Sequence, residues 1–347
     1  MLYYSFHDVD EKYQKVQLST QDEQHESKKQ NNDLPSDISN QIKSAQAKNP
    51  NKENNKNMMG EKQFINIKKS IEMPKATYPI YDVYWVNAVG GGKGGIYGGK
   101  ADALDVPSRI IGIHGRIKTV AVDKKGNIYW SNNIENAIYR ADKNGDNITR
   151  IISGLSHPLG IAIDNKRGRI YWADWQQKIK KGFIGYSNLD GSKSKLIVVD
   201  QLKSGGDIFY DTKYDILYIS DLFGGKIMRL DLKNYVLSKL THAEQPGELV
   251  VDYKNRRVIW ADIGNDSITS VRFDGSDKYD LIKFESAFAN PGALTLDEVN
   301  NRLIYAKHNN DVNGGDQIEL SNLDGSKRRV INKLSNTTVK SLFYLRR

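Results

Sequence analysis

One five-residue pattern recurs six times along this chain, and it limits the fold more than any other feature. It reads Val83-Tyr84-Trp85-Val86-Asn87, Ile128-Tyr129-Trp130-Ser131-Asn132, Ile170-Tyr171-Trp172-Ala173-Asp174, Leu217-Tyr218-Ile219-Ser220-Asp221, Val258-Ile259-Trp260-Ala261-Asp262 and Leu303-Ile304-Tyr305-Ala306-Lys307. The third positions fall at 85, 130, 172, 219, 260 and 305, so the repeat is 41–47 residues long. Short strands repeating at that distance are the signature of β-propeller blades.

The rest of the unit repeats with the motif. A short apolar run ending in Asp precedes five of the six copies, as in Thr119-Val120-Ala121-Val122-Asp123 and Gly160-Ile161-Ala162-Ile163-Asp164. Runs apolar on both faces suit strands packed between neighbouring blades. Turns such as Lys124-Lys125-Gly126-Asn127 follow the Asp, and two outer strands follow the motif. Asp-Gly-Ser turns close some of these outer hairpins, at Asp190, Asp274 and Asp324. The sequence therefore predicts an all-β, six-bladed propeller with four-stranded antiparallel blades over residues 78–347.

Closure is legible at the two ends. The first motif has no inner strand before it, and the last blade is followed by Ser341-Leu342-Phe343-Tyr344-Leu345. That segment is expected to complete blade one beside strands near 81–87, 94–100 and 109–113, which removes an exposed sheet edge.

Residues 1–77 have a different texture, rich in Asn, Lys, Gln, Glu and Ser, and read as a disordered low-complexity tail. A short amphipathic helix over 8–18 is the one element expected there. Of the 347 residues none is Cys, which excludes disulfides, a cysteine zinc site and a thiol nucleophile. The opening residues lack a signal-peptide pattern, and no window is apolar enough for a transmembrane helix. Together these favour a cytoplasmic location. The net charge of +9 is interspersed rather than striped, so specific nucleic-acid binding is not expected. The chain is expected to act as a monomer.

The repeats resemble the YWTD propeller, the class B repeat of the low-density lipoprotein receptor family. The six motifs, the Pro158 to Asp164 element and the Leu-Asp-Gly-Ser turns carry the resemblance over about residues 80–347. It implies the same fold, a protein- or peptide-binding role, and structural duty for the motif Asp at Asp174, Asp221 and Asp262. The motif Thr is absent throughout, copies four and six lack Trp, and the cysteine-rich modules of family receptors have no counterpart here.

Trp85, Trp130, Trp172 and Trp260 are read as wedge fillers between blades. The column Asp123, Asp164, Asp211, Asp252 and Asp297 is read as turn caps. Residues that break the repeat are the functional candidates. Aligned on that column, Thr119, Gly160, Asp207, Glu248, Ala293 and Ser341 share one height at the channel mouth. Asp207 and Glu248, in adjacent blades, are candidate ligands for one divalent cation. Trp175, Gln176, Phe223, Asn133 and His308 fall in loops of the same face and are the candidate partner contacts. The glycine run Gly90 to Gly95 is not a phosphate loop, because no helix follows it.

No catalytic constellation is present, which favours a non-catalytic scaffold that recognises a protein or peptide on the loop face and needs no cofactor. The alternative is a metal-dependent hydrolase or lactonase, with Asp207 and Glu248 holding the cation and Asn132 or Asn133 assisting.

Overall fold

The computed structural model describes residues 81–345 apart from 90–92, 102, 286–288, 310–314 and 335–336. The tail over 1–77 and the helix expected over 8–18 lie outside the described residues, as do the glycines at 90–92.

Among the described residues, twenty-four strands form six four-stranded sheets. Blade 1 holds β1 (Val83–Val89), β2 (Lys93–Lys100) and β3 (Ala103–His114), with the chain's last strand, β24 (Thr337–Tyr344), as its inner strand. Blade 2 comprises β4 (Ile117–Val122), β5 (Ile128–Asn132), β6 (Ala137–Ala141) and β7 (Thr149–Ile152). Blade 3 is β8 (Pro158–Asp164), β9 (Arg169–Gln176), β10 (Lys181–Asn188) and β11 (Lys195–Leu202). Blade 4 is β12 (Ile208–Asp211), β13 (Ile216–Asp221), β14 (Lys226–Asp231) and β15 (Val236–His242). Blade 5 is β16 (Pro246–Asp252), β17 (Arg257–Asp262), β18 (Ser267–Arg272) and β19 (Tyr279–Lys283). Blade 6 is β20 (Ala289–Asp297), β21 (Arg302–Asn309), β22 (Gln317–Asn322) and β23 (Arg329–Lys333).

The closure expected from the sequence is present. Strand β24 runs antiparallel to β1, pairing Trp85 with Leu342 and Val83 with Tyr344. It starts earlier than the apolar run suggested, at Thr337, and β3 is longer than the 109–113 segment.

The core is a ring of wedges. Among the described residues six apolar clusters are present, and each joins two neighbouring blades, including blade 6 to blade 1. Trp85, Trp130, Trp172 and Trp260 are all buried, each in the cluster shared with the preceding blade. Trp130 stacks on Tyr139, its partner across β5 and β6, with centroids 5.5 Å apart. Offset stacking of this kind adds to the burial term. In blade 3 the same place across from Trp172 is Gly185, whose Cβ would lie 2.4 Å from the indole.

The two Asp columns fix the backbone. Asp123 Oδ1 accepts from Lys125 N and Asn127 N at 2.8 and 2.9 Å, and Asp164, Asp211, Asp252 and Asp297 cap their turns likewise. The motif Asp residues hold the segment that enters the blade. Asp174 accepts from Ser156 N and His157 N, Asp221 from Ser204 N at 2.8 Å, and Asp262 from Glu244 N at 2.8 Å.

Candidate functional site

Each inner strand pairs on one side only, so its other edge faces the central channel. The N–H groups on that edge need acceptors that the sheets do not supply. Side chains of the predicted layer provide several. Asp207 Oδ2 accepts from Leu249 N of the next blade at 3.1 Å. The Glu248 carboxylate accepts from Leu294 N at 2.9 Å and from Leu342 N at 3.1 Å, tying blade 5 to blades 6 and 1. Ser341 Oγ accepts from Val120 N and lies 3.3 Å from Thr119 Oγ1. The layer is thus real, but it lies inside the channel. Below it, all six inner strands enclose a cavity of about 190 Å³ that continues towards Lys124, Asn165 and Thr212 at the turn face.

Burial raises the carboxyl pKa of both acids, while backbone N–H donors oppose the rise. For Glu248 the neighbouring Asp207 adds to it. Calcium and magnesium take six or more oxygen ligands, and zinc takes four ligands, at least three of them from the protein. Here two carboxylates are available, already engaged with backbone N–H groups, and no set of three or more His, Asp or Glu is placed for a metal among the described residues. The pair does not fit a cation site, and no chemistry through a metal is derived from it.

The opposite end of the channel carries the loops. Trp175 lies within β9, one residue before its end, and not past the strand as the sequence suggested. Its ring meets Phe223 of blade 4 with centroids 4.7 Å apart, and Phe223 is 49% exposed. His157 packs edge-on against Trp175, and Asn133 Nδ2 reaches His157 Nε2 at 2.9 Å. Asn133 is itself only 6% exposed, so it holds His157 rather than offering a contact. Gln176 is exposed beside the aromatic pair. His308 stands apart in blade 6, where its Nδ1 is 2.6 Å from Asp316 Oδ2. Of the five expected contacts, Trp175, Phe223, Asn133 and Gln176 come together and His308 does not.

The sequence reading passed over a set of cations at this end. Arg116 precedes β4, Lys118 is the second residue of β4 and Lys340 the fourth of β24, and the three lie close enough for their charges to act on one another. Burial first, then Lys340 and Arg116, lower the Lys118 pKa to about 8. Burial also lowers that of Lys340, with Asp316 opposing and Arg116 assisting. The signal was one residue away: at the position preceding the aligned layer the other blades carry Leu159, Gly206, Gly247 and Gly292.

Residues 256–298 match the family model of the low-density lipoprotein receptor repeat class B. The chain carries a low-density lipoprotein receptor class B repeat. The matched repeat runs from the motif strand of blade 5 into the inner strand of blade 6. Among solved structures, a chain of a nidogen/laminin complex superposes with a TM-score of 0.62 at 21% identity, covering 75% of this chain and 97% of that one. A candidate TolB from Agrobacterium tumefaciens gives 0.59 at 11% identity, covering 77% and 100%. These likenesses show the fold. A vitellogenin receptor from Solenopsis invicta is 29% identical over 161 residues, 44% of this chain and 9% of the receptor. The 3-hydroxyacyl-CoA dehydrogenase-like protein LAM1 of Cochliobolus heterostrophus is 25% identical over 231 residues, 54% of this chain and 48% of that protein. The chain thus spans less than half the length of either relative.

Proposed function

We propose that this class B propeller is a non-catalytic protein- or peptide-binding module that takes its partner on the loop face. The observation that carries the reading is the Trp175–Phe223 pair, two rings in contact across blades 3 and 4 with Phe223 half exposed. Large aromatics placed where the repeat does not demand burial are typical interface anchors. The matched nidogen/laminin complex and the vitellogenin receptor support the reading, because both names describe proteins that engage other proteins. The test is capture of partners from native lysate by the wild-type chain and by Trp175→Ala/Phe223→Ala. Loss of the captured bands in the double variant is expected, and unchanged capture refutes the assignment.

A further inference from the structure

The loop end of the channel holds three cations, and among the described residues Asp316 is the carboxylate that acts on them. Lys118 and Lys340 each precede the Thr119–Ser341 contact in adjacent blades, so the fold sets them side by side. Both sit in β-bulges. The β4–β5 register gains a residue between Ile117 and Val120, and the β24–β1 register gains one between Val339 and Ser341. Such a bulge takes a side chain out of the pleat's alternation and re-aims it. Neither ammonium makes a hydrogen bond or ion pair among the described residues, and neither does the exposed Arg116 guanidinium. Among the described residues Asp316 is the carboxylate acting on Lys340, and it is already taken by His308 Nδ1 and by Val339 N at 2.7 Å. Like charges gathered in a partly desolvated recess are costly unless an anion completes them.

The cations are continuous with the aromatic pair. Arg116 O accepts from Asn133 N at 3.1 Å, Asn133 reaches His157, His157 packs on Trp175, and Trp175 meets Phe223. One arc therefore runs from cations on blades 1 and 2 to the half-buried Trp175 on blade 3 and the exposed Phe223 on blade 4. A free inorganic anion would use only the first half of it, whereas a peptide uses both.

We propose that the channel mouth reads an acidic peptide segment: Lys118, Lys340 and Arg116 receive one Asp or Glu carboxylate, and an apolar side chain a few residues away lies on Trp175 and Phe223. The proposal rests on the loop-face reading and names the chemistry of its ligand. It is tested by panning a random peptide library at pH 7 against the full chain, followed by affinity measurement of the selected peptides. The expected result is an acidic residue at a fixed place, followed or preceded by an apolar one. Affinity should fall at least about thirtyfold in Lys118→Met/Lys340→Met and in Lys118→Gln/Lys340→Gln, and several-fold in Arg116→Gln, with unchanged thermal melting. Selected peptides without an acid, or affinities indifferent to the lysine variants, overturn the proposal. If those peptides still lose binding in Trp175→Ala/Phe223→Ala, the loop-face reading survives that failure. If no peptide depends on the aromatic pair either, both fall. Inorganic phosphate that displaces an acidic peptide as readily as its own unlabelled copy, at matched ionic strength, would make the mouth a plain anion site and also overturn the proposal.

Discussion

Replacing Glu248 by alanine removes the acceptor of two channel-facing amides, Leu294 N and Leu342 N, in two different blades. Each buried donor left without a partner costs about 1–3 kcal/mol, so the gross effect is about 2–6 kcal/mol. Two terms reduce it. The cavity of about 190 Å³ below the layer can supply water to the freed amides. Alanine also removes a buried carboxyl whose ionisation is disfavoured by burial and by Asp207. A net loss of about 2–4 kcal/mol in urea unfolding at neutral pH remains. Glu248→Gln keeps one acceptor oxygen without the charge and should stay within about 1 kcal/mol of wild type. Because a ring of blades need not unfold in one step, amide exchange at Leu294 and Leu342 is the sharper readout. Both amides should exchange faster in the alanine variant and hold their protection in the glutamine variant. An alanine variant as stable and as protected as wild type would refute the reading of Glu248 as the tie between blades 5, 6 and 1.

Three further outcomes are expected. Ending the chain at 336 removes β24 and opens blade 1, so far-UV circular dichroism and gel filtration should show loss of the native, compact state; a truncated chain indistinguishable from wild type would contradict closure. Trp130→Ala deletes a buried ring stacked on Tyr139 and should cost about 3–5 kcal/mol by urea unfolding, far more than the roughly 0.5 kcal/mol of an ordinary surface change. Asp207 and Glu248 have carboxyl pKa values raised in the folded state, so their stabilising contribution is full in acid and is lost as pH climbs from the ordinary carboxylate range near about 4 through the raised values. Other carboxyls, such as Asp215 and Asp277, are lowered and act with the opposite sign, so the clean measurement is a difference. The stability of Asp207→Asn/Glu248→Gln relative to wild type should rise between about pH 5 and about pH 7.5. A flat difference would show that the two acids do not titrate with folding.

Much of this molecule is legible in its residue pattern, because local rules write it. The motif period sets the number of blades. The Asp columns declare their turns, since an Asp side chain reaches amides two to four residues away, as Asp123 does at Lys125 and Asn127. The four motif Trp residues announce the wedges, and the unpaired apolar run at 341–345 announces the closing strand. The proposed partner face was partly legible as well: Trp175 and Phe223 stand where no repeat position asks for an aromatic, and they do meet.

Tertiary structure alone decided the rest. Asp207 and Glu248 look like free acids in the sequence, because nothing local shows that the amides of Leu249, Leu294 and Leu342 lack acceptors. That need arises only when six inner strands stand round one channel with an edge each left unpaired. The cationic mouth is hidden for the same reason. The residues next to Lys118 and Lys340 touch across a sequence separation of 222, and a bulge falls at each lysine. Charge along a chain is a local property, whereas the recess exists because ring closure brings the first inner strand of the sequence against the last.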